Sequence, residues 1–153
     1  MSKAIVRVID AYVFKKNKNN LEYLVLKRSP EKVYGGLWQC ITGKIEQGEA
    51  SWETAIRELR EETGLSPKQI FIVDHISKFY EADEDRINLI PVFGIEVSDS
   101  KIELSDEHTE YRWVKFKIAL KKLVWKGQKE GLKSLNNMLN SDDSRLYWSR
   151  VLI

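Results

Sequence analysis

Three glutamates at positions i, i+3 and i+4, Glu58, Glu61 and Glu62, follow a glycine-containing loop in the stretch GKIEQGEASWETAIRELREETGL, Gly43 to Leu65. At about 100° per residue, Trp52, Ala55, Ile56 and Leu59 fall on one apolar stripe, which predicts a helix docked on a core. On the same wheel the three carboxylates cluster about 120° from that stripe. Their spacing brings them within a few ångströms of one another, where like charges repel. The arrangement costs stability unless a cation sits among them. Gly64 fits the left-handed position after the last turn, and Leu65 can fold back on the helix. The competing account is a solvated charge ladder, with Glu53, Arg57 and Glu61 pairing at four-residue steps.

Oxygen ligands without His or Cys companions suit Mg²⁺ or Mn²⁺ rather than zinc. Magnesium keeps waters and takes a few carboxylates plus substrate phosphate oxygens, so the implied partner is a small phosphorylated molecule. The stretch resembles the Nudix box, G-x5-E-x7-R-E-U-x-E-E-x-G-U with U a bulky aliphatic residue. Gly43, Glu49, Arg57, Glu58, Leu59, Glu61, Glu62, Gly64 and Leu65 occupy all nine specified positions across twenty-three residues.

The resemblance implies an α/β fold, an α/β/α sandwich with a mixed β-sheet between helices. It implies hydrolysis of a nucleoside-diphosphate-like bond by in-line attack of water on phosphorus. It assigns Glu58, Glu61 and Glu62 to the metal, with one of the latter two also helping to activate water. Arg57 looks like the residue that holds a catalytic Glu, Glu61 at i+4 being the expected partner. Gly43 offers its carbonyl to the metal, or simply makes a tight turn. Glu49 is expected to stabilise the loop or the positive end of the helix.

With 153 residues, 42% hydrophobic and 31% charged, the chain fits one soluble domain over 1–153. A net charge of +2 does not argue for nucleic acid. No apolar run approaches membrane-spanning length, and MSKAIVRVID lacks a signal-peptide pattern, so no membrane partner and a cytoplasmic location are expected. The single cysteine, Cys40, is read as core packing.

Strands are predicted over residues 4–14, 21–28, 38–41, 70–80 and 87–97, with Pro91 demoting the last toward an edge or a bulge. A loop fills 29–37, where Pro30, Gly35 and Gly36 lie, and KKNKNN at 15–20 is turn chemistry. A short strand is expected at 111–114. Residues 117–140 read as two helical pieces broken near Gly127, with Leu120, Leu123, Val124, Leu132, Leu135 and Leu139 on apolar faces. The tail RLYWSRVLI reads as a strand or a packed extension. Lys115, Lys117, Lys121, Lys122, Lys126, Lys129 and Lys133, with Trp125 among them, are expected to cover a solvated face rather than bind nucleic acid.

Many members of the resembled family use a further downstream Glu as ligand or base, and Glu107 is the candidate, with Asp106 and Glu110 as alternatives. Lys27 and Arg28 end a strand and can grip phosphates. Tyr34 and Trp38 flank the Gly-Gly pair, where a ring can stack on a base or pterin. His75 and His108 are read as structural. LWQCITGKIEQGE and EHTEYRWV look similar to bacterial dihydroneopterin triphosphate pyrophosphatases. Tyr80, fifteen residues beyond Leu65, lies near where diadenosine-polyphosphate hydrolases of the family carry a stacking tyrosine, the alternative substrate reading. Residue 81 is Glu where an ADP-ribose specialist would carry proline, and Pro91 lies ten residues later. Diphosphate-ester isomerases of the fold need further His ligands and an active-site Cys, a set that His75, His108 and Cys40 do not form. A catalytically silent nucleotide-binding module is the non-hydrolase alternative, yet no box carboxylate is lost.

Overall fold

Two buried strands, read residue by residue, show how the chain builds its layers. In β2 (Val8–Asn17) Ile9, Ala11 and Val13 pack into one apolar cluster, while Tyr12 and Phe14 pack into another. In β3 (Asn20–Arg28) Leu24 and Leu26 join the first cluster, Tyr23 and Val25 the second. Successive side chains of a strand point to opposite faces, so these strands are buried on both. Burying both faces requires helices on each side. The computed structural model describes residues 1–153 and supplies them. Helix α1 (Ser51–Thr63) covers the first face with Ala55, Ile56 and Leu59. Helices α2 (Phe116–Lys122) and α3 (Lys126–Leu139) cover the second with Ala119, Leu132, Leu135 and Met138.

Between them lies a mixed sheet. The path β4 (Trp38–Gln39), β3, β2, β7 (Arg86–Glu96), β6 (Gln69–Glu81), β9 (Arg150–Val151) is extended by β1 (Lys3–Ile5) on β7, β5 (Ile41–Lys44) on β2 and β8 (His108–Val114) on β3. β2 and β7 run parallel, whereas β2–β3 and β6–β7 are antiparallel. The expected sandwich is therefore present.

Several boundaries differ from the sequence reading for physical reasons. The first strand splits at Val6 and Arg7, because β1 pairs with Arg86–Asn88 and β2 with Val92–Glu96. β2 runs on to Asn17, leaving Lys18 at φ 58° as the turn residue. Residues 38–44 form two short strands: β4 pairs with β3, β5 pairs with β2, and buried Cys40 lies at the crossing. β7 is no edge. Pro91 instead falls between the β1-paired and β2-paired lengths, opposite a register shift between Ile72 and Ile76, so its missing N–H lands where the ladder is already broken. The helical break falls at 123–125, and Gly127 sits in the first turn of α3. Val124 belongs to that break and is 50% exposed, not on an apolar face. A short helix, α4 (Arg145–Trp148), precedes β9, whose pairing with Ile70 and Phe71 resolves the tail as a strand. No helix is long and apolar enough to cross a membrane.

Candidate active site

The loop and both ends of α1 are fixed by local chemistry. The Glu53 carboxylate accepts a hydrogen bond from the Ala50 N–H (2.7 Å), the glutamate half of a capping box whose other half Ala50 cannot supply. At the far end Gly64, φ 74°, donates its N–H to the Arg60 carbonyl, and Leu65 is buried in the core.

Arg57 is the hub of this first half. Its Nε donates to Glu49 Oε2 (2.6 Å) and its Nη2 to Glu49 Oε1 (3.0 Å), a two-point guanidinium–carboxylate pair. The same side chain reaches the Lys44 carbonyl (2.9 Å), Glu58 Oε1 (2.9 Å) and Glu61 Oε2 (3.2 Å). The expected i+4 contact to Glu61 exists, but the fork belongs to Glu49. Glu49 also accepts from the Glu46 N–H (3.0 Å) and the Thr54 hydroxyl (2.7 Å), so it ties the loop to the helix. Arg57 above all, aided by the Glu46 N–H and Thr54, holds its carboxyl down at about 2.

The three box glutamates do not share one environment. The Glu61 side chain is 58% exposed. Glu58 and Glu62 are buried, at 8% and 2%. Neither oxygen of Glu62 has a hydrogen-bond partner. Burial pushes the Glu62 carboxyl far above the usual range, and Glu58 and Glu107 push it the same way. Burial also raises Glu58, against the pull of Arg57. In water-free surroundings such groups stay neutral unless a cation compensates them.

Glu107 arrives from the sheet side, immediately before β8. Its carbonyl accepts from the Ser29 N–H (2.9 Å), and Arg28 Nη1 donates to its Oε2 (3.3 Å). Of the three downstream acids it is the one whose charge reaches Glu62. Asp106 uses only its carbonyl here, accepting from the Ser29 hydroxyl (2.6 Å). Glu110 forms an ion pair with Lys27 (3.1 Å). Arg28 thus sits at the carboxylate group, while Lys27 is engaged along the β3–β8 ladder.

Gly43 is not in a turn. It lies in β5 opposite Ile9, and a Cβ there would collide with Cγ and Cδ of Glu58. Its glycine is required by close approach of strand to helix.

A hard divalent cation fits these residues. Glu62 presents two buried oxygens without partners, and Glu58 and Glu107 bring further carboxylates toward it. All the donors are oxygen, as Mg²⁺ or Mn²⁺ prefers. No three His, Cys, Asp or Glu side chains close into a cage. Magnesium does not need one, because it retains waters and takes oxygens from a bound phosphate.

The remaining candidates are scattered. Tyr34, at φ 62° in the loop, meets Trp125 edge-on at 5.2 Å between ring centroids. Trp38 is half-buried against the second core and lies beneath the Lys122 ammonium at 4.4 Å. Tyr80 is exposed near the end of the β6–β7 hairpin and donates to Asp85 (2.9 Å); no hydrogen bond joins it to the carboxylate group. His75 contacts the Ser77 hydroxyl (3.1 Å). His108 is buried against the Gln39 amide (2.9 Å), and burial lowers it to about 4, as befits a neutral structural histidine. Sequence reasoning missed the Glu49 fork, since nothing in linear spacing shows a loop folding back eight residues. It also missed Asp10, Gln39 and Gln128, polar residues buried at 5%, 9% and 8% in otherwise apolar surroundings. A carboxylate in the middle of a β-branched strand was the available signal for Asp10.

A family model described as the NUDIX domain matches residues 5–135. The asymmetrical bis(5'-nucleosyl)-tetraphosphatase of Mus musculus is 31% identical over 131 residues, covering 83% of this chain and 86% of that protein. An octanoyltransferase of Myxococcus xanthus is 33% identical over 133 residues, 84% of this chain; the chain spans only 36% of that protein's length. Among solved structures, a NUDIX hydrolase from Listeria monocytogenes superposes with a TM-score of 0.73 at 28% identity, covering 86% of this chain and 92% of that one. The dihydroneopterin triphosphate pyrophosphohydrolase of E. coli shares the fold with a TM-score of 0.69 at 19% identity, covering 89% of this chain and 99% of that one. With the complete box folded around a buried carboxylate group, the chain belongs to the NUDIX domain family and is a hydrolase of pyrophosphate bonds.

Proposed function

We propose that this chain is a Mg²⁺-dependent pyrophosphohydrolase, with Mn²⁺ able to substitute, that splits a nucleotide-like polyphosphate by attack of water on phosphorus. The observation that carries this reading is the Glu62 carboxylate, buried and without a partner beside Glu58 and Glu107. Bound divalent metal supplies neutralisation of polyphosphate charge and acidification of water. Glu58 and Glu62 would hold it, with exposed Glu61 and the Gly43 carbonyl completing the protein's share. Arg57, locked by Glu49, orients Glu58 and Glu61. Glu107 keeps 45% of its side chain exposed, which leaves it open to take the proton from the attacking water. Arg28 beside it offers a guanidinium to a phosphate oxygen. In-line displacement needs little more than such positioning and charge compensation.

Two substrate readings follow. Dihydroneopterin triphosphate or another (d)NTP-like molecule is favoured by the short segments around Trp38 and Glu107. A diadenosine polyphosphate is favoured by the 31% identical tetraphosphatase. Turnover with Mg²⁺ on dihydroneopterin triphosphate, diadenosine tetraphosphate and the common nucleoside triphosphates, with products identified, tests both. Release of pyrophosphate from the pterin supports the first; asymmetric cleavage of the dinucleotide supports the second. Unchanged turnover in Glu62→Gln would overturn the assignment.

A further inference from the structure

Gln39 and His108, both buried, meet across β3. Gln39 is paired with Leu26, whose side chain packs into the core beneath α1, so Gln39 points to that same face. His108 is paired with Arg28, two residues beyond Leu26, and shares the face. A bulge makes this possible. β8 pairs Glu110 with Lys27 but His108 with Arg28, which leaves Thr109 as one extra residue. Without it, alternation would turn His108 to the opposite face. The Gln39 amide nitrogen donates (2.9 Å), so the ring accepts at Nε2 and carries its proton at Nδ1. That Nδ1–H is buried without a partner. Apolar groups of the same shape at both positions would avoid this loss. What the polar pair adds is a fixed direction for the chain that carries it.

We propose that Gln39 and His108 are positioning residues, which pin the bulged start of β8 and thereby fix where the Glu107 carboxylate lies relative to Glu62. The inference rests on the hydrolase reading above, in which Glu107 takes a proton from water. Glu107 directly precedes His108. Its own side chain is 45% exposed and held only by Arg28 (3.3 Å), so its place is set mainly through the backbone. The Ser29 N–H on its carbonyl (2.9 Å) is one backbone anchor, and the buried ring of the next residue is the other. Slipping the bulge by one residue would carry Glu107 about 3.3 Å along the strand. Proton transfer works over a heavy-atom separation of about 2.6–3.2 Å, so a slip of that size takes the base out of reach.

The test is a double-mutant cycle read by turnover, with amide hydrogen exchange as a second readout. Kinetics with Mg²⁺ use diadenosine tetraphosphate or dihydroneopterin triphosphate, whichever is hydrolysed. Gln39→Leu should lower kcat by about tenfold to a hundredfold, the scale for residues that orient others, with KM within about twofold. In a Glu107→Gln background the same substitution should change kcat by less than about twofold, because no base is left to aim. Exchange of the Ser29 amide, bonded to the Glu107 carbonyl, should quicken at least about tenfold in Gln39→Leu while the Leu59 amide of α1 is unchanged. If Gln39→Leu does not fold, Gln39→Leu/His108→Leu takes its place, since it leaves neither partner of the pair unmet. Equal losses of kcat in both backgrounds would show a merely structural pair and overturn the proposal, as would unchanged exchange at Ser29. Hydrolysis of no diphosphate at all, with Ser29 exchange quickened, would defeat the hydrolase reading and leave the pin standing.

Discussion

Arg57 and Glu62 stand five residues apart on one helix, and their surroundings are opposite. Arg57 meets acceptors from Glu49, Glu58, Glu61 and Lys44. Glu62 is more deeply buried and meets none. Native structures rarely leave a buried charged group without partners, so each exception asks for an explanation. The contrast separates a brace, complete in itself, from a site that is complete only with a ligand. A charged cluster read from sequence alone conflates the two.

Removing the starved carboxylate is the sharpest way to test that division. Glu62→Gln keeps shape and should lower kcat by about a hundredfold to ten-thousandfold, the range for losing an essential acid–base or ligand group. Its fold should survive, because no protein hydrogen bond is lost; circular dichroism and steady-state kinetics together check this. Gly43→Ala comes next. The new methyl group meets Glu58, so the strand or the carboxylate must shift. A stability loss of about 1–3 kcal/mol by denaturant titration, with a fall in turnover, is expected for such overpacking.

Breaking the brace should do less. Glu49→Gln removes the charge of the fork and leaves its atoms, so activity should fall about tenfold to a hundredfold, the scale for residues that orient ligands. Equal losses in Glu49→Gln and Glu62→Gln would erase the distinction between brace and site.

The change with pH in the stabilisation that Mg²⁺ gives is the smallest effect. Glu58 and Glu62 are raised in the folded state, so without metal they keep protons that the unfolded chain has released. Their contribution to stability is whole below the ordinary carboxylate range and falls as pH rises above it. Ionisation is what a cation needs, so the Tm gain from Mg²⁺ should grow with pH over the same interval. At a hundredfold excess over Kd the gain is about 3 kcal/mol. A gain that does not change with pH would contradict the raised carboxylates.

Much of this was legible in the chain. The apolar stripe of α1, the Gly64 stop and the strand pattern of β2 and β3 each follow from local periodicity or from one residue's allowed backbone. Glu107 was a candidate, with Asp106 and Glu110, only through the family resemblance, since nothing in local spacing places that loop against the helix. What stayed hidden depends on long-range approach. Gly43 looks like a turn residue until β5 is seen against Glu58, and Pro91 looks like an edge signal until the two strands that share β7 are seen to leave a gap at that point. Arg57 looks like a partner for Glu61 until the loop brings Glu49 back. Local rules describe elements; these three cases are decided by which elements touch.

Binding of Mn²⁺, followed by electron paramagnetic resonance in wild type, Glu62→Gln and Glu49→Gln, tests the central claim most directly. If Glu62 is a ligand of the cation, wild type binds, Glu62→Gln binds at least about tenfold more weakly, and Glu49→Gln retains more affinity than Glu62→Gln. Equal affinity in wild type and Glu62→Gln would mean that the buried carboxylate is not a ligand, and the account of the site would fall with it.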